Sequence, residues 1–397
     1  MKLSQKIQHC TLSPMRKFTP FARDAEIAGK KIYKLNIGQP DIETPPAFFE
    51  AVRGFNQDVL AYANSQGSDD LINAVRDYYR KIGTSYKKED ILITSGGSEA
   101  LQILFTCILD QGSEVIVPEP FYSNYNTFIR AAGGMIRPLT TYPEEDYNYA
   151  NRERLEALIN KNTRAIAIIN PQNPTGNVLT EKELRLIADV AKEHSLYLIC
   201  DEVYREFVYD TDNILCAGKL RDVDENVVII DSVSKRFSAC GARIGMLISR
   251  NRDLMAEALK LCQGRLCTTT LEQVGATALY SVGPEYFDKV RDEYRRRRDI
   301  CYEKLTAIPG VVCAKPMGAF YVMAKLPIDD ADLFQEWLLT DFEDHGETVM
   351  VSPGAGFYAT PGKGINEVRI AYVLKEADLS RALDLLALGI EAYNKRQ

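Results

Sequence analysis

The chain is poor in histidine: three occur in 397 residues, His9, His194 and His345, and none stands near another ligand type at metal spacing. A histidine-built metal centre, or a triad that runs on histidine, is therefore not expected. No Cys-x-x-Cys pair occurs among the nine scattered cysteines, and the closest two, Cys262 and Cys267, read as structural thiols. An odd, unpatterned cysteine count in a long chain implies reduced thiols and a cytoplasmic setting. No apolar run approaches membrane-spanning length, and the polar residues 1–16 lack the apolar core of a secretory leader. Internal repeats, low-complexity tracts and long linkers are missing too. Positive charge is in deficit: 48 basic against 55 acidic residues give a net charge of −7, the wrong sign for a nucleic-acid partner. The one basic run, 295–298, lies among Asp292, Glu293, Asp299 and Glu303, and reads as a charge-laced exposed helix.

What remains is a chain able to bury a large core, with 46% hydrophobic residues and a length that suggests two domains. Short apolar runs stand at 91–94, 114–117, 165–170, 196–200, 227–231 and 244–249. Helical patterns stand at 99–109, 122–132, 181–194 and 252–263. This alternation predicts an α/β fold with a mostly parallel sheet sandwiched by helices. After about residue 284 the texture changes to a long charged helix at 287–305, strand-like segments at 311–313 and 319–323, and a helix near 332–342. Strands at 349–352 and 367–371 and a final helix from 375 complete a smaller α+β unit. In an open parallel sheet, ligands bind beyond the carboxyl ends of the strands. The residues richest in chemistry stand just after the apolar runs.

After the run at 227–231 comes Ser232-Val233-Ser234-Lys235-Arg236-Phe237-Ser238-Ala239-Cys240-Gly241-Ala242-Arg243-Ile244-Gly245. A lysine at a strand end, ringed by small and hydroxyl residues, is placed for a Schiff base beside a phosphate. Its amine becomes a nucleophile when a neighbouring cation or desolvation lowers its pKa. Arg243 is such a cation, and its fork can also pair with a phosphate. Ser95-Gly96-Gly97-Ser98 follows the run at 91–94 and opens a helix, where backbone N–H groups can approach a phosphate. Asn170-Pro171-Gln172-Asn173-Pro174-Thr175-Gly176 and Asp201-Glu202-Val203-Tyr204 follow two further runs. An aspartate at the end of an apolar strand is costly unless it is paired.

These segments resemble the signatures of the fold-type I pyridoxal-phosphate enzymes, the class I/II aminotransferases. Ser234, Lys235, Phe237, Ser238, Gly241, Arg243, Ile244 and Gly245 match the lysine signature at every defined position, and 170–176 matches the Asn-Pro-x-Asn-Pro-Thr-Gly segment in full. The resemblance runs from about residue 30 to 375 and is nearest to the aspartate aminotransferase-like subgroup. It implies pyridoxal 5'-phosphate as cofactor and the aspartate aminotransferase fold. It also implies a large cofactor-binding domain at 40–286 and a small discontinuous one made of 1–39 and 287–397.

By resemblance, Lys235 holds the cofactor and serves as acid and base. Gly97, Ser98, Ser232 and Arg243 cradle the phosphate, and Asp201 pairs with the pyridine nitrogen. Asn173 and Tyr204 reach the phenolic oxygen. Tyr122 stacks on the ring, with its neighbour Phe121 the alternative. Tyr62 reaches the phosphate of a neighbouring subunit, which implies a homodimer. Arg369, as a bidentate guanidinium, takes the α-carboxylate of the substrate, and the backbone of Gly38 lies over the same group.

The expected activity is transfer of an amino group between an α-amino acid, aspartate-type or aromatic, and a 2-oxo acid such as 2-oxoglutarate. A dicarboxylate needs a second cation, for which Arg16, Lys17 and Arg265 are candidates. The alternative on the same fold is a C–S lyase of the cystathionine β-lyase type. A transcriptional regulator carrying such a domain is not expected, because the match leaves about thirty residues for a DNA-binding segment.

Overall fold

The computed structural model describes residues 1–8, 10, 12–210 and 215–396; His9 lies outside them. Its centre is a seven-stranded sheet in the order Ile91–Thr94, Gly245–Ser249, Val227–Ser232, Tyr197–Asp201, Thr163–Ile169, Glu114–Glu119, Met135–Thr140. All pairings are parallel except those of Gly245–Ser249, which runs antiparallel to both neighbours. The sequence predicts six of these strands. The seventh, Met135–Thr140, is an edge strand of mixed polarity, MIRPLT, and so lacks the apolar signal of its neighbours.

The sheet is buried on both faces, as its near-continuous Val/Ile/Leu runs require. Val228 and Ile230 pack into one core layer, while Val227 and Ile229 pack into the other. Ile199 likewise faces the first layer, and Leu198 and Cys200 the second. Side chains alternate along a strand, so Asp201 and Ser232 end their strands on the face of Ile199 and Ile230. Helices cover both layers. One of them, Glu181–Glu193, starts in a capping box: Thr180 Oγ1 accepts from the Glu183 N–H while the Glu183 carboxylate accepts from the Thr180 N–H.

The two ends of the chain meet in smaller sheets. Lys31–Lys34 pairs in parallel with Glu347–Met350. Glu367–Ala371 pairs antiparallel with Ser352–Pro353 on one side and Tyr321–Lys325 on the other. The helix Pro284–Thr306 packs along Glu376–Lys395.

Two expectations need correction. Residues 311–313 form no strand; Val312 makes a single bridge to Lys325. The basic run 295–298 is not wholly exposed, because Arg297 and Arg298 are buried. Arg297 Nη1 donates to Asp41 and to the Val373 carbonyl, and Arg298 donates to Asp210 and the Pro316 carbonyl. Neutralising partners from distant segments make that burial possible, and local charge patterning does not show them.

Candidate active site

A cavity of about 250 Å³ opens at the carboxyl ends of the central strands, against the small three-stranded sheet. Gly38, Gly97, Ser98, Tyr122, Asn173, Asp201, Tyr204, Ser232, Lys235, Arg243 and Arg369 all line it. Tyr62 stands apart from these residues, on a loop and 80% exposed. Of the two neighbouring aromatics, Tyr122 lines the cavity, whereas Phe121 belongs to the core.

Lys235 sits in the helical turn Val233–Arg236, whose N-cap is Ser232. The Ser232 hydroxyl accepts from the Ser234 N–H at 3.0 Å, which fixes the turn directly after the strand. Lys235 Nζ reaches into the cavity and donates to the Gly38 carbonyl at 2.7 Å. The glycine turn beneath Arg243 depends chiefly on Gly96, which the sequence argument passed over. Its φ is +77°, and a Cβ there would stand 2.2 Å from Arg243 Nη2. Only glycine satisfies both conditions. Arg243 Nη2 donates to the Ser95 carbonyl and Nη1 to the Cys240 carbonyl, which spreads the guanidinium across the start of the helix Gly96–Ile108.

The electrostatics are set by two buried groups. Asp201 is 5% exposed, accepts from the Val203 N–H at 3.3 Å and from the Tyr125 hydroxyl at 3.2 Å, and has no cationic partner among the described residues. Burial pushes its carboxyl up to about 7. Arg369 is 2% exposed. It donates to Asn173 Oδ1 at 3.1 Å, the Asn36 carbonyl at 2.6 Å and Met15 Sδ at 3.1 Å, and its Nε has no partner. No carboxylate pairs with it among the described residues, and burial lowers its pKa. Burying a charge without a counter-charge is expensive. A ligand with a cationic ring nitrogen at one end and a carboxylate at the other would match both groups, so the residues present fit pyridoxal phosphate carrying an amino acid.

Between these poles runs a polar chain. Arg369 Nη1 donates to Asn173 Oδ1, and Asn173 Nδ2 donates to the Tyr204 hydroxyl at 3.4 Å. The Tyr204 hydroxyl lies 3.0 Å from that of Tyr321. Burial raises the pKa of Tyr204 well above the ordinary tyrosine value, so it stays a proton donor.

Among the proposed second cations, Arg16 lines the cavity mouth. Lys17 pairs with Asp332 on the surface, and Arg265 pairs with Glu99. Sequence reasoning missed Tyr125, Met15 and Tyr321, and gave Ser234, although part of the lysine signature, no role at the site. Tyr125 lies three residues after Tyr122, across the turn that opens the helix Asn124–Ala131, where its N–H donates to the Tyr122 carbonyl. Tyr321 carries no local signal, since it approaches Tyr204 only through a contact across 117 residues of chain.

The family model for aminotransferase class I and II matches residues 30–386. The chain is 32% identical to an aspartate aminotransferase of Bacillus subtilis over 100% of this chain and 98% of the relative. It is 31% identical to the aspartate/prephenate aminotransferase of Thermus thermophilus, over 97% of this chain and 98% of that one. The solved structure of Thermus thermophilus aspartate aminotransferase with maleate superposes with a TM-score of 0.89 at 30% identity, covering 98% of this chain and 100% of that one. An alanine aminotransferase from Pyrococcus furiosus superposes with a TM-score of 0.88 at 28% identity, over 98% and 100% of the two chains. All of these relatives transfer amino groups by name, which favours amino transfer over the C–S lyase alternative.

Proposed function

The chain belongs to the aminotransferase class I and II family and is a pyridoxal-phosphate-dependent aminotransferase, and from that premise we propose which residues carry the reaction and which amino acid it takes. When bound, the cofactor supplies an aldehyde that takes up the amino group and a cationic ring that absorbs negative charge from the substrate α-carbon. Lys235 anchors it. Lys235 Nζ, once free, would be the base that takes the proton from the substrate α-carbon and the acid that delivers it to the carbon that carried the aldehyde. Asp201 holds the proton on the ring nitrogen, Asn173 and Tyr204 bind the phenolic oxygen, and Tyr122 stacks on the ring. Gly97, Ser98, Ser232 and Arg243 bind the phosphate. Arg369 takes the substrate α-carboxylate beneath the Gly38 backbone and thereby orients the α-carbon toward Lys235.

The single observation that supports this assignment best is the pair of buried, uncompensated opposite charges, Asp201 and Arg369, on facing walls of one cavity. Arg16 at the mouth supports a second carboxylate on the substrate, so the preferred donor is aspartate-type and the acceptor a 2-oxo acid such as 2-oxoglutarate. The division into a large unit at 40–286 and a small one at 1–39 and 287–397 follows from this reading, with the cavity between them. Tyr62 serves the phosphate site of a second copy. Val59 and Leu60 beside it are 72% and 60% exposed, an apolar surface that suits a homodimer interface. All nine cysteines are free, which supports a cytoplasmic location.

The test is the visible spectrum of the cofactor-loaded protein, recorded after separate additions of aspartate, glutamate, alanine and phenylalanine. The reading requires a yellow band that aspartate bleaches at lower concentration than alanine or phenylalanine does. A band bleached best by alanine or phenylalanine would refute the substrate assignment, and no band would refute the cofactor sites.

A further inference from the structure

Tyr321 lies outside every motif discussed above, yet its side chain touches three members of the site. It opens the strand Tyr321–Lys325, where it stands opposite Ala371 while Met323 stands opposite Arg369. Opposed residues of an antiparallel pair share a face, so Tyr321 and Arg369 are diagonal neighbours on the cavity side. The Arg369 guanidinium lies 4.5 Å from the Tyr321 ring centroid. At the other edge of the ring, a Cβ added to Gly38 would meet the Tyr321 hydroxyl at 1.8 Å. That glycine's carbonyl accepts from Lys235 Nζ. The Tyr321 hydroxyl ends 3.0 Å from the Tyr204 hydroxyl.

The proton inventory gives these contacts a direction. A tyrosine hydroxyl has one proton to donate and can also accept. Arg369 Nη1 donates to Asn173 Oδ1, so the Asn173 amide nitrogen faces Tyr204 and donates to its oxygen. If Tyr321 also donates to Tyr204, the one Tyr204 proton points into the cavity. Were Tyr204 to donate to Tyr321 instead, it would have nothing to offer a ligand oxygen.

We propose that Tyr321 is a positioning residue of the reaction: its hydroxyl aims the Tyr204 proton into the cavity, and its ring holds the Arg369 guanidinium on the same network. This rests on the assignment of Tyr204 to the phenolic oxygen. Recognition of the substrate carboxylate and tuning of the cofactor oxygen then share one chain, Arg369 to Asn173 to Tyr204, with Tyr321 bracing both ends.

Two variants of the cofactor-loaded protein separate the hydroxyl from the ring. In Tyr321→Phe the ring stays and the hydroxyl is lost. Tyr204 is then less firmly directed, the phenolic oxygen is less well stabilised as an anion, and the unit it shares a proton with becomes more basic. The pH midpoint of the visible absorbance change should rise by about half a unit, roughly a threefold change in proton affinity. Succinate affinity should stay within about twofold of wild type. In Tyr321→Leu the ring is lost as well, and succinate affinity should also fall by about fivefold. Circular dichroism checks that both variants fold. If Tyr321→Phe keeps the wild-type midpoint, Tyr321 is only a packing residue and the proposal fails. If wild type itself shows no visible band, the failure lies with the cofactor assignment.

Discussion

The two walls of the cavity bury ionisable groups of opposite sign, and neither wall pairs its own with a counter-charge. The central sheet contributes Asp201, held by a backbone N–H and a tyrosine hydroxyl and raised to about 7 by burial. The small sheet contributes Arg369, held by a carbonyl, an amide oxygen and a thioether. Elsewhere the buried arginines of the described residues meet carboxylates closely. Arg236 and Asp231 pair at 2.8 Å behind the lysine turn, and Arg205 pairs with Glu202. Glu119 and Glu367 are buried without a cation too, held by hydroxyls and, for Glu119, backbone N–H groups, but among the described residues Arg369 is the one buried arginine that no carboxylate meets, and it lies where a ligand would complete it. A fold that pairs Arg236 so fully has the means to pair Arg369, and at the cavity it does not.

The comparison can be broken from either wall. Lys235→Ala removes the one amine between them, and turnover should fall by about 10⁴-fold while the fold persists. Retained turnover would show that the lysine was misassigned. Asp201→Asn keeps the shape but not the charge. It should bind cofactor and lose about 10²–10³-fold in kcat, measured with saturating cofactor, because a preorganised charge next to the ring is gone. Arg369→Lys keeps the charge but not the fork. It should cost about 10²-fold in kcat/KM for every amino acid alike, since the α-carboxylate is common to all. Arg16→Met should do the least: about tenfold in kcat/KM for aspartate and no change for alanine. An equal loss for both amino acids would place Arg16 away from the side-chain carboxylate.

The walls also differ in how legible they were in the sequence. Lys235, Asp201, Asn173 and Gly97 each follow an apolar strand inside a short local motif, and an open parallel sheet gathers the ends of its strands. Their meeting was therefore readable without coordinates. On the other wall, Arg369 matched by resemblance, but Tyr321 reaches it through antiparallel strand pairing and Met15 through a contact across 354 residues of chain, and no local pattern encodes either. The buried Arg297 and Arg298 were misread for the same reason, since Asp41 and Asp210 are remote in sequence. Gly96 was overlooked next to Gly97 because two adjacent glycines look alike until the position of Arg243 distinguishes them.

The unpaired state of Asp201 can be measured directly. Its folded pKa of about 7 lies above the ordinary 3.8, so between those pH values the folded chain holds a proton that the unfolded chain has released. Stability of the cofactor-free protein should therefore fall as pH rises from about 4 to 7, by up to about 4 kcal/mol. Asp201→Asn has no such proton and should lack the decline. The decisive measurement is urea unfolding of wild type and Asp201→Asn at pH 5 and pH 8, each with and without pyridoxal phosphate. Without the cofactor, the Asn variant should gain on wild type between pH 5 and pH 8. With the cofactor the order should invert, because only the aspartate can pair with the ring cation. Identical pH profiles without cofactor, or no inversion with it, would contradict the account.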